Sequence, residues 1–346
     1  MRVLVTGNNG YIGPILIDML REHGHMAVGL DSLYFSDCEY LAPSAPDRQI
    51  VRDMRDIRPE DLEAVDAVMH LAGLSNDPMG AIDARLTDDI NHLATIRLAE
   101  MAKAAGVRRF LYSSSCSMYG ISSEKALTEE SSMSPVTAYA HSKVDSERGL
   151  SKMADGTFSP TCLRNATAYG LSPMMRVDLV VNNLTGWAVT TGKVKIMSDG
   201  TPWRPIVHVD DISLAFVSCL EAPIESVHNE AFNVGRNDEN YQIKDIASVV
   251  ERIVPNCEVE YLNQAEPDQR TYNVDFSKIT ERIPGFKPRW TLDKGVEEIY
   301  RSFKEQGITI EEFDGNRYIR LKHLKHLMEG GQLSEDLRWT DQGGGK

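Results

Sequence analysis

The sequence predicts an α/β protein: a doubly wound parallel sheet with a smaller α/β cap toward the C-terminus. Three observations predict it. Short apolar runs alternate with helical periodicity through the first half. A glycine loop, Thr6-Gly7-Asn8-Asn9-Gly10-Tyr11-Ile12-Gly13, joins the first apolar run to the first helical stretch. Beyond about residue 165 the alternation gives way to less regular pieces.

Taken in order, strands are expected at Arg2–Thr6, Met26–Leu30, Gln49–Arg52, Asp66–Leu71, Arg109–Ser113 and Pro160–Arg164. Between several of them Tyr11–His23, Ala84–Ala104 and Val136–Met153 carry helical periodicity. Such strand–helix–strand units build a parallel sheet covered on both faces, and their ligands collect at the carboxyl ends of the strands. The second half offers a helix at Val177–Thr191, the runs VKIMSDG and IVHV, a helix from Asp211 and a strand at Ala231–Val234. Amphipathic helices follow at Ile243–Ile253 and at Leu292–Lys304, where Leu292, Val296, Ile299, Tyr300 and Phe303 share a face. The expected organisation is a main domain over 1–165, its sheet completed by later strands near 206–234, a substrate cap over mainly 166–306, and a helical extension with a frayed tail over 307–346.

The glycine loop carries the first chemistry. Gly7, Gly10 and Gly13, three residues apart, allow a tight turn, close backbone approach and helix–strand packing, while the helix start receives a pyrophosphate. Asn9, Tyr11 and Ile12 fill the same loop, and Pro14 suits a first helical turn, where its missing N–H costs little. Asp31 follows the second strand, where a carboxylate can accept from both adenosine ribose hydroxyls and repel a 2′-phosphate. No Lys or Arg stands beside it in LDSLYFSD, so the site reads as a Rossmann site for NAD, not NADP. Asp53 and Met54 after the third strand are expected at the adenine, and Leu71, Ala72 and Gly73 after the fourth beside the dinucleotide.

Tyr139 and Lys143, in YAHSK, stand four residues apart and so share a helical face. A phenol with its ordinary pKa of about 10 is a poor base at neutral pH, and an adjacent ammonium brings it toward the working range. Upstream the fifth strand ends in Ser113-Ser114-Ser115-Cys116-Ser117-Met118-Tyr119-Gly120, offering a hydroxyl to the reacting oxygen.

With these motifs in hand, the chain resembles the extended short-chain dehydrogenase/reductase family, in particular its nucleotide-sugar epimerases and dehydratases. The likeness runs from Met1 to about Lys304 and rests on TGNNGYIG, HLAG, SSSCSMYG, YAHSK, LRNATAYG, DGTPWRPIVHVDD and FNVG. It implies Tyr139 as acid/base, Lys143 on the nicotinamide ribose and Ser115 at the family's Ser/Thr position. It further implies Asn91 as support for the lysine, and Arg204 as a clasp on the sugar-nucleotide diphosphate. Ser75, Thr167 and Asn183 are expected at the substrate, with Thr167 where Asn is usual. Glu266-Pro-Asp268-Gln269-Arg270 is similar to a segment of some CDP-sugar epimerases and makes Arg270 a second diphosphate candidate. A homodimer is implied through a four-helix bundle of the helices around 84–104 and 136–153.

Departures narrow the activity. Cys116 and Ser117 stand where 4,6-dehydratases resemble one another in an Asp-Glu pair, which removes the acid and base for eliminating water. Pro205 replaces the common Asp after Arg204. The expectation is an NAD-dependent epimerase of a nucleoside-diphosphate sugar; the alternative is an NAD(P)H-dependent ketoreductase of a keto nucleotide sugar, and a non-catalytic binding module is disfavoured by the complete Ser115, Tyr139 and Lys143 set.

Composition sets the outer bounds. The 346 residues hold 37 Lys+Arg against 51 Asp+Glu, a net charge of −14, with 42% hydrophobic residues. That acidity argues against nucleic acid or an anionic membrane as partner. Five scattered cysteines without a CxxC pair read as reduced thiols, neither a disulfide framework nor a zinc site. With no run of about 18 apolar residues, a cytoplasmic location is expected. Asp210-Asp211 reads as a helix N-cap with first-turn charge, Cys116 as a small buried thiol, and the histidines of KHLKHL (322–327) as part of a solvated amphipathic helix.

Overall fold

The computed structural model describes residues 1–80, 82–122, 126–262 and 271–341. A seven-stranded sheet is built from β1 (Arg2–Thr6), β2 (Met26–Asp31), β3 (Arg48–Val51), β4 (Ala67–His70), β5 (Arg109–Ser115), β6 (Ser159–Asn165) and a late strand, Glu230–Val234. Across the sheet the order is β3, β2, β1, β4, β5, β6 and the late strand, every pair parallel. The order reverses at β1, so the carboxyl ends of β1 and β4 flank a crevice, the usual ligand position in such sheets.

Helix α1 (Gly13–Glu22) starts two residues after Tyr11, with Pro14 in its first turn, and buries Leu16, Ile17 and Leu20 against one face of the sheet. The opposite face is covered by α2 (Ala94–Ala104) and α3 (Ala138–Met153), which bring Leu98, Ala99 and Leu150 against Val68, Phe110 and Tyr112. The single helix expected over Ala84–Ala104 is instead a short helix, a π turn at Asp89–Leu93 and then α2. At the π turn the Asn91 side chain bonds the backbone of Leu74, while its carbonyl accepts from Thr95 and Ser146. Periodicity carries no trace of that rearrangement.

The cap has its own core. Helices α4 (Val180–Thr191), α6 (Ile243–Ile253) and α7 (Leu292–Gln306) bury Val181, Leu184, Ile246, Val250, Val296 and Phe303 together. Of the stretch expected to complete the main sheet, only Glu230–Val234 does so. β9 (Trp203–His208) pairs with β7 (Thr167–Tyr169) and β11 (Asn240–Gln242), and β8 (Lys193–Ile196) pairs with β12 (Glu258–Tyr261); the late strand of the main sheet is β10. An apolar run such as IVHV says that a strand is buried but not which sheet receives it.

The helix after β9, α5 (Val209–Glu221), corrects another expectation. Its N-cap is His208, whose ring accepts from the Asp210 N–H, and Asp210 and Asp211 lie inside the first turn. Asp211 accepts from the backbone N–H groups of Arg289 and Trp290, and Asp210 from the Trp290 indole.

The extension does not simply sit in solvent. Helix α8 (Arg320–Glu329) buries Arg320, His323, Leu324 and Leu327. With Leu333 and Leu337 its leucines pack on Leu74, Met79 and Leu86, back beside the dinucleotide-type loops. His323 is hydrogen-bonded to the Tyr34 carbonyl and packs on Phe35. No helix among the described residues is long and apolar enough to cross a membrane.

Candidate active site

A cavity of about 530 Å³ opens where the carboxyl ends of β1, β4 and β5 meet the cap. Its wall at the first loop is shaped by close approach. Gly7, at φ 71°, closes a turn with the Gly10 N–H on its carbonyl at 3.0 Å, and a Cβ there would lie 2.7 Å from the Ala72 nitrogen. A Cβ on Gly13 would overlap the Asn8 backbone. The spacing of the glycines therefore lets β1, the β4 loop and α1 come together.

Asp31 lies at the end of β2 and lines the same cavity. Its Oδ2 accepts from the Asn9 N–H at 3.0 Å and its Oδ1 from the Leu33 N–H at 2.7 Å. Burial raises the carboxyl pKa, and these two N–H groups offset only part of the rise. Each oxygen keeps acceptor capacity for a vicinal diol. A glycine cradle opening a helix, followed by a half-buried carboxylate, fits a dinucleotide. Tyr11 reaches away from the cradle into the cap, donating from its hydroxyl to the Gly170 carbonyl at 2.6 Å.

The opposite wall holds the candidate chemistry. Thr137 caps α3 by accepting from the Ala140 N–H, which sets Tyr139 and Lys143 in the first two turns facing the cavity. The Lys143 ammonium donates to the Ser113 carbonyl at 2.7 Å and lies 4.7 Å from the centre of the Tyr112 ring. Burial pushes its pKa down to about 8, opposed by the carboxylate of Glu147 one turn along. Ser115 ends β5, and its oxygen accepts from the Ser117 N–H at 3.2 Å, leaving the hydroxyl proton to point elsewhere. Cys116 is buried with its thiol on the Arg164 carbonyl at 3.1 Å, and burial pushes the thiol pKa up, which disfavours the thiolate.

Gly7, Gly10, Tyr11, Ile12, Asp31, Asp53, Met54, Leu71, Ala72 and Gly73 line the cavity, as do Ser75, Ser115, Tyr139, Lys143, Thr167, Asn183 and Arg204. Asn9 reaches it through the bond to Asp31, and Gly13 through packing behind the loop. The side chain of Asn91 stands behind the wall, on Leu74 and on the Ser142 hydroxyl, and braces the helix that carries Lys143. Asp53 lines the cavity, but its carboxylate is taken by Arg55 (2.6 and 3.0 Å). Arg204 stacks over Tyr272, 5.6 Å from the ring centre, and donates to the Trp203 carbonyl. Arg270 lies outside the described residues.

Sequence reasoning missed a bidentate pair, Arg176 on Asp178 at 3.0 Å in both bonds, which ties the cap to the β4 loop through Ser75 and Asn76. The signal was present: two opposite charges two residues apart in an apolar stretch, MMRVDLVV. It also missed Tyr34 and Arg320 on the cavity wall. Among the described residues four carboxylates line the cavity, and each has a partner: Asp31 on backbone N–H groups, Asp53 on Arg55, Asp77 on Thr137 and Asp178 on Arg176.

The family model described as NAD dependent epimerase/dehydratase family matches residues 3–235. A UDP-glucose 4-epimerase of Mycolicibacterium smegmatis is 28% identical over 316 residues, 88% of this chain and 99% of that protein. UDP-glucuronic acid decarboxylase 2 of Arabidopsis thaliana is 26% identical over 317 residues, 88% of this chain and 69% of its own. Among solved structures, MoeE5 in complex with UDP-glucuronic acid and NAD superposes with a TM-score of 0.77 at 27% identity, covering 88% of this chain and 99% of its own.

Proposed function

The chain belongs to the NAD dependent epimerase/dehydratase family, and on that premise we propose that it is an epimerase of a nucleoside-diphosphate sugar. One observation carries the choice within the family. Ser115, Tyr139 and Lys143 share the cavity wall, whereas every carboxylate among its described lining residues is held by another group. A redox core is supported; among the described lining residues no unpartnered carboxylate offers an acid or base to expel water from the sugar. The relatives named for UDP-glucose and UDP-glucuronate 4-epimerisation support the same choice.

When bound, NAD supplies reversible hydride acceptance. Asp31 binds the adenosine ribose hydroxyls, and the N–H groups at the start of α1 receive the pyrophosphate. Lys143 donates to the nicotinamide ribose and, as a cation, favours phenolate at Tyr139. Tyr139 takes the proton from a sugar hydroxyl, at C4 in this reading, and returns it at the end. The Ser115 hydroxyl, whose lone pair already accepts from Ser117, donates to the same sugar oxygen through the ketone stage. Arg204 binds the diphosphate of the sugar nucleotide and, with Thr167 and Asn183, leaves room for the keto-sugar to turn its other face. The half-exposed Leu93 and Val136, beside α2 and α3, suit the four-helix bundle of a homodimer, which sedimentation at micromolar concentration tests.

Incubation with UDP-, dTDP-, GDP- and CDP-sugars, read by product NMR, tests the activity. An epimer formed without net change in absorbance at 340 nm and without solvent deuterium at carbon supports it. Stoichiometric loss of NADH with a keto substrate would instead establish the ketoreductase.

A further inference from the structure

Arg320 belongs to the C-terminal extension, far beyond the residues that the family model matches, yet its side chain forms part of the cavity wall. It is 2% exposed. One guanidinium nitrogen, Nη2, donates to the Met174 carbonyl at 2.8 Å and the guanidinium also meets the Cys38 thiol, while Nη1 is buried without a hydrogen-bond partner among the described residues. The guanidinium carbon lies 4.4 Å from the centre of the Phe35 ring. The neighbouring carboxylate of Asp178 is already paired with Arg176, itself a cation. A desolvated guanidinium with a spare donor is costly in a closed protein and is compensated when an anion arrives. The residues it touches say where that anion belongs. Met174, held by Arg320, is fixed through Ser172 to the carbonyl of Tyr11, in the glycine loop, and Phe35 follows Asp31 by four residues.

The remainder of the extension secures the same end of the cavity. The Leu337 carbonyl accepts from the Tyr34 hydroxyl at 2.5 Å and from Arg55 at 3.0 Å. The Trp339 indole donates to the Ser32 carbonyl at 2.6 Å, and Arg338 pairs with Asp56. The chain after β2 and the turn after β3 are thereby bound to residues 337–339.

We infer that the C-terminal extension completes the dinucleotide site, with Arg320 as the buried cation that binds the dinucleotide's phosphates. The inference rests on the reading of this cavity as the dinucleotide site and deepens it, and it is independent of which sugar is turned over. Arg320 is a binding residue here; Tyr34, Trp339 and Leu337 position the loop that follows Asp31.

Calorimetric titration of the full-length protein, stripped of nucleotide, with NAD, ADP and adenosine tests it. Arg320→Met is expected to weaken NAD and ADP by about tenfold or more, the scale of a lost charge-assisted bond. Adenosine, which lacks phosphate, should bind as before, and Arg320→Lys should recover much of the loss. Equal weakening of ADP and adenosine would reduce Arg320 to a brace for Met174 and overturn the inference, as would unchanged NAD binding. If Arg320→Met does not fold, Arg320→Lys against Arg320→Gln makes the same comparison of charge kept with charge removed. Failure of the unaltered protein to bind NAD would overturn the site reading itself, a result separable from failure at Arg320 alone.

Discussion

The ammonium of Lys143 lies 5.6 Å from the centre of the Tyr139 ring, one helical turn along, with the Ser113 carbonyl holding it at 2.7 Å. A cation so placed favours phenolate over phenol. Its own burial lowers its hold on a proton to a pKa of about 8, so the charge that assists Tyr139 is present at neutral pH and fades in mild alkali.

Removing the phenol oxygen removes the proton acceptor without altering the helix. Tyr139→Phe is expected to cut sugar turnover by at least ~100-fold, the usual scale for a lost general acid/base. NAD affinity and melting temperature should stay near those of the unaltered protein, since the ring is retained. Retained turnover in the Phe variant would sink the assignment.

Lys143→Met separates charge from shape. Without the ammonium the acid limb of the rate profile should move to higher pH by roughly 1–3 units, because an opposite charge at this range lowers a pKa by that much. Rate measured from pH 6 to 10 reads this directly. A profile that falls uniformly at every pH would mean that Lys143 positions ligand only and leaves the Tyr139 proton alone.

What the sequence disclosed follows from where each signal is local. β1 and α6 are found where expected to the residue, because alternation and helical period are both short-range patterns. The glycine loop, Asp31 and the Tyr139–Lys143 pair were legible for the same reason. The partners of Asn91 are not legible in this way, since its bonds cross 17 and 51 positions to Leu74 and Ser142. The contact of His323 with Tyr34 spans 289 positions, and no pattern in KHLKHL encodes it. IVHV was assigned to the main sheet because burial leaves the same mark on any inner strand.

Gly7 tests the glycine loop where it is least tolerant. Alanine there must adopt φ near 71° and place its Cβ 2.7 Å from the Ala72 nitrogen. Backbone strain alone costs about 1–3 kcal/mol. Gly7→Ala should therefore melt several degrees lower and bind NAD more weakly, because relief of the overlap pushes the β4 loop away from the pyrophosphate. Differential scanning fluorimetry with and without NAD reads both effects; a variant stable and tight-binding would show that the approach of the loops is not needed.

Glu239 gives a pH signature that belongs to the cap. It is 4% exposed, its Oε2 accepts from the Leu292 N–H at 2.9 Å at the start of α7, and burial pushes its pKa up to about 7 from an ordinary value of 4.5. The folded protein thus holds a proton that the unfolded chain releases between those two values. In that window the native state binds more protons, so stability from this group is full at low pH and falls as pH rises through 7. Glu239→Gln keeps an oxygen acceptor for Leu292 without the ionisation. Chemical denaturation at pH 5, 6, 7 and 8 should show the slope flattened in the variant, with its gain over the unaltered protein greatest at pH 8. If the two curves run parallel, Glu239 does not titrate in this range. The carboxylate would then be fully compensated by the helix start and by Tyr241, whose hydroxyl donates to it at 3.3 Å.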